Sequence, residues 1–295
     1  MRTRASLVAI LLLALAAVVP AQPATPGPAE RIADGVILYR LDDPAVVNPA
    51  GPIAVQALRL DPKKVSLEMG LAEDRVPARE GVQQIAERRG AIAAVNAGFF
   101  ALTDGRPIAM LKARGQLLGE TVRPRGAVAI ADYHGAVRLL FDRVSVAVTP
   151  GKNGRRETRY RTRMGTSAKE WARAPDAVSG AGLLVLDGRE LNDWRDERLT
   201  SAFDTTRHPR TMIGVDGDGA IWLVTIDGRN PALSVGMTFA ELQVLARRLA
   251  LRSALNLDGG GSTTMVAGGR VVNHPSDATG PRPVSDALLV LPRKR

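Results

Sequence analysis

No cysteine occurs in the 295 residues, so the chain carries no disulfide framework, no C-x-x-C pair and no lipid-modified cysteine. Aromatic residues make up only 4%. Val, Leu, Ile and Ala must therefore build the core, and few flat platforms remain for stacking sugar rings. Histidine is also scarce, at three residues. That is too few for the His-rich dinuclear site that a metal-dependent phosphodiesterase normally needs. Beyond Ala5 to Val19, no apolar run approaches the roughly 20 residues that cross a bilayer.

That one run reads as a secretory signal. Arg2 and Arg4 precede it, and Val19-Pro20-Ala21 supplies small residues for cleavage, so residues 1–21 are expected to be a signal peptide. The alternative, an uncleaved anchor, needs a longer run. The expected product is exported, periplasmic or extracellular, with no stable membrane span after cleavage. An exported chain without cysteine suits a bacterial envelope better than a disulfide-stapled secreted domain.

The formal charge is +10, which first suggests a nucleic-acid partner. The basic residues are dispersed and seldom interleaved with aromatics, and export argues against nucleic acid. Attraction to anionic glycans or phosphate polymers fits better. The densest basic stretch, 151–163, reads as a solvated loop or exposed hairpin.

Residues 22–34, rich in Pro and Ala at their start, read as a flexible lead-in. From 35 to 295 no linker interrupts the chain. Strand-like segments dominate, among them Val65 to Leu71, Ala91 to Val95, Arg106 to Leu111, Gly126 to Ala131, and Val137 to Phe141 with Val144 to Val148 across a turn at Asp142-Arg143. Residues 80–88 read as a helix stopped by Gly90. A second helix begins at Thr238-Phe239-Ala240-Glu241, a capping box followed by Leu242, Leu245 and Leu249 at helical spacing. Strands outnumber helices and many are hairpin-connected. The expected fold is α+β, a single domain with mixed or mostly antiparallel sheets and few helices.

Three apolar runs end in Asp-Gly, at Asp187-Gly188, Asp227-Gly228 and Asp258-Gly259. Asp-Gly is ordinary turn chemistry, but used three times it can set carboxylates along one sheet rim. The third run, Leu255-Asn256-Leu257-Asp258-Gly259-Gly260-Gly261-Ser262-Thr263-Thr264, reads either as a tight turn or as a cradle whose N–H groups face an anion. It is no P-loop, because no Gly-Lys-Ser/Thr follows, and it leads into a strand rather than a dinucleotide-binding helix. His208-Pro209-Arg210-Thr211 sets a His, an Arg and a hydroxyl at a strand mouth, a set suited to phosphate. A structural arginine under a loop is the competing reading. His134, in a turn, reads as inert, and His274 is the weaker of the two histidines that precede proline.

Taken in order, Asn96-Ala97-Gly98-Phe99-Phe100, Ser179-Gly180-Ala181-Gly182-Leu183, His208-Pro209-Arg210-Thr211, Thr225-Ile226-Asp227-Gly228-Arg229, Asn256 to Thr264, Val272-Asn273-His274-Pro275-Ser276-Asp277 and Arg282-Pro283-Val284 resemble the phosphodiester glycosidases. The resemblance covers roughly Asn96 to Leu291. It departs at the basic stretch 151–163 and at Ala181, where a glycine is expected. It implies cleavage of a sugar from a phosphodiester at the anomeric carbon. Asp258 would attack or stabilise that carbon, with His208 and Asp227 also catalytic. Arg210, with Arg229 or Arg282, would clamp the phosphate. Asn96 and Asn256 would orient hydroxyls, Gly259, Gly260, Gly261 and Ser262 would offer N–H donors, and Thr211, Thr263 and Asn273 would complete the contacts. Which carboxylate is nucleophile and which is base stays open.

Two rivals stand beside this reading. A non-catalytic glycan-binding module would need aromatic platforms instead of a charged cluster. A phosphodiesterase cutting P–O would need a richer metal site. A single divalent cation such as calcium, held by Asp side chains and carbonyls, stays open as a cofactor.

Overall fold

A computed structural model describes residues 28–151, 155–197, 199–200 and 202–293. The expected signal peptide, residues 1–21, lies outside the described residues. The stretch 22–34, expected to be flexible, contains the edge strand Ala29–Ala33, which pairs with Val36–Leu41.

Three sheets form the body, and every strand pairing among the described residues is antiparallel. The eight-stranded sheet runs in the order Ala29–Ala33, Val36–Leu41, Val55–Leu60, Ile221–Ile226, Arg210–Asp216, Leu251–Asn256, Leu183–Leu186, Arg189–Glu190. A five-stranded sheet orders Arg270–Val271, Met265–Ala267, Ala93–Asn96, Asp286–Pro292 and Val65–Leu71. The six-stranded sheet is built on the long hairpin Thr121–Tyr133 and Ala136–Pro150.

The sheets share one apolar interior. Leu58, Leu223, Ile213 and Leu255 of the first sheet meet Val95, Met69 and Leu288 of the second and Val128 and Ile130 of the third. Each sheet has one helix on an outer face. Phe239–Arg248 sets Phe239, Leu242 and Leu245 against Met212, Trp222 and Val224. Val82–Arg89 packs on Ala94 and Leu289, and Ala168–Arg173 places Trp171 on Ala127 and Ala129. Among the described residues, no helix is long and apolar enough to cross a membrane.

The capping box at Thr238 forms as expected, with Thr238 Oγ1 accepting from the Glu241 N–H and Glu241 accepting from the Thr238 N–H. Two expectations change. Val137 to Phe141 and Val144 to Val148 are halves of one strand, Ala136–Pro150. The charges that suggested a turn are buried and matched instead. Asp142 accepts N–H bonds from Arg163, Met164 and Thr166, while Arg143 pairs with Asp193 and Glu197. Of residues 106–111, only Leu111 enters a strand, Leu111–Ala113. The stretch 151–163 is an exposed hairpin arm for its described part, Arg156–Thr162 lying along the edge of the six-stranded sheet.

Register brings several chain ends to one rim. Arg210 lies opposite Ile226, Met212 opposite Asn256, Asn96 opposite Ala287 and Val95 opposite Met265. Asp227, Asp258, Gly98 and Asp286 therefore leave or enter the sheets at the same edge.

Candidate active site

Asp258 leaves the end of Leu251–Asn256 and is pinned by its backbone. Its N–H donates to the Ala97 carbonyl (2.9 Å), and its own carbonyl accepts from Asn96 Nδ2 (2.7 Å). Asn96 Oδ1 in turn accepts from Thr211 Oγ1 (2.7 Å) and the Thr264 N–H (3.1 Å). Beneath this turn, the fully buried Asp286 accepts from the Gly98 N–H (2.7 Å) and from the Ser285 hydroxyl. Gly98 is required there, since a Cβ would stand 3.0 Å from both Asp286 carboxylate oxygens.

The Asp258 carboxyl keeps limited contact with solvent. Burial pushes its pKa up to about 7, assisted by Asp286, against the pull of Ser262, the Gly259 N–H and Arg282. The Gly259 N–H donates to Asp258 Oδ1 at 2.9 Å, whereas the Ser262 hydroxyl leans toward the carboxyl without closing a well-formed hydrogen bond. Burial raises Asp286 as well.

Two guanidiniums close over the glycines. Arg229 reaches Gly260, where a Cβ would lie 2.9 Å from its Nη2. Arg282 reaches Gly261, where a Cβ would lie 2.1 Å from its Nη2. Asp277 orients Arg282 through Nε (2.8 Å) and stands 3.8 Å from Arg229 Nη1. Arg229 adopts φ 63, a left-handed conformation costly for a side chain of its size. Strain of this kind persists where the surroundings hold it.

His208 borders the same space. Its backbone exchanges hydrogen bonds with Met237, and its ring stacks on Phe203 at 6.1 Å. Burial, then Arg210 and Arg229, lower its pKa, so the imidazole is neutral at pH 7 and able to accept a proton. Phe203 also meets Phe99 edge-on at 6.2 Å, and the Arg125 guanidinium lies over Phe99 at 5.3 Å.

Several expected substrate contacts are scaffold instead. Arg210 is no phosphate clamp. Its Nε donates to Met237 O (2.9 Å) and its Nη2 to Phe203 O and Thr206 O (2.7 and 2.8 Å), with Phe203 and Phe239 covering its faces. Burial lowers its pKa to about 10. Asp227 does not face the reaction space as a catalytic group. It is 1% exposed and accepts from Asn273 Nδ2 (3.0 Å), the His274 N–H (2.9 Å) and Gln56 Nε2 (3.4 Å). His274 Nδ1 lies 3.1 Å from Asp227 Oδ2.

Asn273 and Thr211 spend their polar atoms on Met265, Thr263, Asp227 and Asn96. Nor do the first glycines form an N–H cradle, because Gly259 N–H is held by Asp258 and Gly260 N–H by Pro209 O (2.9 Å). The glycines serve instead as the clearance through which Arg229 and Arg282 approach. Polar atoms left without partners mark the remaining space: Asn256 Oδ1 and the hydroxyls of Ser179, Ser262, Thr263 and Thr264 are all buried. Asn256 Nδ2 is spent on Ala181 O and Leu257 O. Among the described residues, no three His, Cys, Asp or Glu side chains gather as metal ligands.

Sequence reasoning passed over Asp286, Asp277, Phe203 and Arg125. Only Asp277 carried a usable signal, five residues before Arg282 on a loop of turn-forming residues.

The phosphodiester glycosidase family profile matches residues 89–291. Mouse N-acetylglucosamine-1-phosphodiester alpha-N-acetylglucosaminidase is 29% identical over 109 residues, covering 34% of this chain and 21% of the mouse protein. The match thus spans about a fifth of that relative. Among solved structures, a hypothetical protein from Synechocystis superposes with a TM-score of 0.76 at 20% identity, covering 92% of this chain and 64% of that one. The zebrafish N-acetylglucosamine-1-phosphodiester alpha-N-acetylglucosaminidase catalytic domain, auto-inhibited by its pro-peptide, gives 0.67 at 18% identity, covering 91% and 87%. At such identities the superpositions establish a shared fold.

Proposed function

Because the chain belongs to the phosphodiester glycosidase family, we propose that it hydrolyses the glycosidic C–O bond of a sugar-1-phosphodiester. The observation that carries this reading is the convergence of one carboxyl, Asp258, and two guanidiniums, Arg229 and Arg282, on the Gly259–Gly261 turn. The guanidiniums hold the phosphate and stabilise the charge that grows on it as it leaves. The ionised Asp258 faces the anomeric carbon, where positive charge develops. Water supplies the new C1–O bond, the old bond's electron pair leaves with the phosphomonoester, and neutral His208 accepts the water's proton. A phosphate leaving group needs little protonation, which fits an imidazole held neutral. The N-terminal sequence supports export, with an envelope or extracellular glycan or phosphopolymer as the substrate.

Turnover of a sugar-1-phosphodiester in ¹⁸O water tests the bond cleaved. Label is expected in the sugar; label in the phosphate would show P–O cleavage and overturn the proposal. Two variants test the roles. His208→Gln is expected to lower kcat about 100-fold, in the range of lost general-base catalysis. Arg282→Met should raise KM about tenfold or more through loss of a charge-assisted contact. An unchanged KM would remove Arg282 from the phosphate.

A further inference from the structure

Three arginines stand buried or half-buried around the strand Leu251–Asn256, and two of them are fully matched. Arg143 pairs with both Asp193 and Glu197. Arg210 gives three hydrogen bonds to carbonyls and lies between two aromatic faces. Arg125 is different. Its Nε donates to Gly180 O at 3.2 Å and its guanidinium covers Phe99, but among the described residues no carboxylate pairs with it.

The nearest acidic influence is Glu197, and that carboxylate is already committed to Arg143 and to the N–H groups of Gly126, Gly182 and Leu183. Burial holds the Arg125 pKa below its ordinary value. A cation removed from water without a counter-charge is destabilising by itself.

The surroundings share this deficit. Ser179 and Asn256, neighbours of Gly180, are both 0% exposed, and Ser179 Oγ and Asn256 Oδ1 have no hydrogen-bond partner. Gly180 ties the three together: its carbonyl takes Arg125, and its Cα packs against the Asn256 carbonyl. Beside them Phe99, partly exposed, offers an apolar face directly after Ala97-Gly98, the segment that carries Asp258. This cationic position is separated from Arg229 and Arg282 by Phe99, Phe203 and His208 in sequential ring contact.

We propose that Arg125 binds a second anionic group of the substrate, carried on the sugar and distinct from the scissile phosphate. This rests on the phosphodiester reading of the Asp258 site. With the phosphate at Arg229 and Arg282 and the anomeric carbon at Asp258, the far side of the sugar ring lies against Phe99. An acid there, a uronic carboxylate or a sugar phosphate, meets the free edge of the guanidinium. Ser179 and Asn256 meet the neighbouring hydroxyls. The substrate class is thus an acidic sugar-1-phosphodiester rather than a neutral one.

Binding of non-hydrolysable phosphonate analogues separates this proposal from the catalytic one. Calorimetry would compare a hexuronate analogue, a hexose-6-phosphate analogue and the matching neutral hexose on the wild-type chain, Arg125→Met and Arg125→Lys. The wild type is expected to bind at least one acidic analogue tenfold or more tighter than the neutral one, and the better acid identifies the group. Arg125→Met should erase the preference, and Arg125→Lys should retain part of it. Equal wild-type affinities, no binding of any analogue, or a Met variant that weakens acidic and neutral analogues alike would overturn the proposal. Should Arg125→Met fail to fold, an undiminished preference in Arg125→Lys together with an undiminished salt dependence supports a charge contact, and loss of folding in both variants refutes it. Failure of the catalytic reading would look different, with an intact acid preference but no cleavage of the corresponding diesters.

Discussion

Asp258→Asn is expected to abolish turnover, by a factor of about 10⁴ or more, while raising the thermal midpoint at pH 8. The two effects have one origin. Burial lifts the carboxyl from 3.8 to about 7, so the folded chain holds that proton more tightly than the unfolded chain does. The stability this contributes is complete below pH 3.8 and is lost as pH rises through 7. Above that point the folded protein carries a carboxylate that it solvates poorly. An amide of the same shape removes the charge and keeps the acceptor for the Gly259 N–H. The gain is on the order of 1–2 kcal/mol after allowing for the water that still reaches the group, and a few degrees in Tm for a chain of this size. It should vanish at pH 5, where the wild-type carboxyl is already neutral. Unfolding curves at both pH values check this; a Tm gain of equal size at pH 5 would refute the charge as its cause.

The same group sets the pH dependence of activity. Asp258 acts ionised and His208 acts neutral, so both lose their working form as pH falls. The rate should climb through about pH 7 and then level. A rate that instead falls above pH 7 would make Asp258 a general acid and reverse its role.

These roles were only partly written in the sequence. Asp258 and its glycines stand out because three adjacent glycines after a strand are conformationally expensive. The helix at Phe239 was legible because its cap and its apolar spacing agree. The three Asp-Gly pairs could not be separated by inspection, since their chemistry is identical. Asp187 and Gly188, with φ of 51 and 83, make a two-residue hairpin turn, whereas Asp227 and Asp258 end strands at the shared rim. Their fates differ by strand position, which is a property of the sheet. The arginines were misassigned for a similar reason. Arg210 sits in the most phosphate-like motif, yet three carbonyls from distant loops consume its donors. Arg229 and Arg282, in plainer contexts, reach the glycines. The one-and-a-half-turn helix Ala168–Arg173 has a complete capping box at Ser167 and Glu170, but it is too short for apolar spacing to reveal.

Two glycine variants separate scaffold from site. At Gly180 an added Cβ would lie 2.1 Å from the Asn256 carbonyl oxygen and 3.0 Å from Leu255 Cγ. That carbonyl cannot yield easily, because it accepts from the Ala181 N–H while Asn256 Nδ2 donates to Ala181 O. Gly180→Ala must push apart two backbones at the heart of the eight-stranded sheet. The cost is about 3 kcal/mol, the upper range for overpacking, or roughly 6–12 °C in Tm. At Gly261 the added Cβ would lie 2.1 Å from Arg282 Nη2 and 2.2 Å from an Asp277 carboxylate oxygen. Both are ends of flexible side chains, partly exposed, that can swing aside. Gly261→Ala should therefore unfold within about 2 °C of the wild type, since an ion pair of this kind is worth at most about 1 kcal/mol, yet bind the phosphodiester tenfold or more weakly. Thermal unfolding and KM measured on the same two proteins check the contrast. If Gly261→Ala keeps its KM, the guanidinium over that glycine is not what holds the phosphate, and the site must be rebuilt around Arg229 alone.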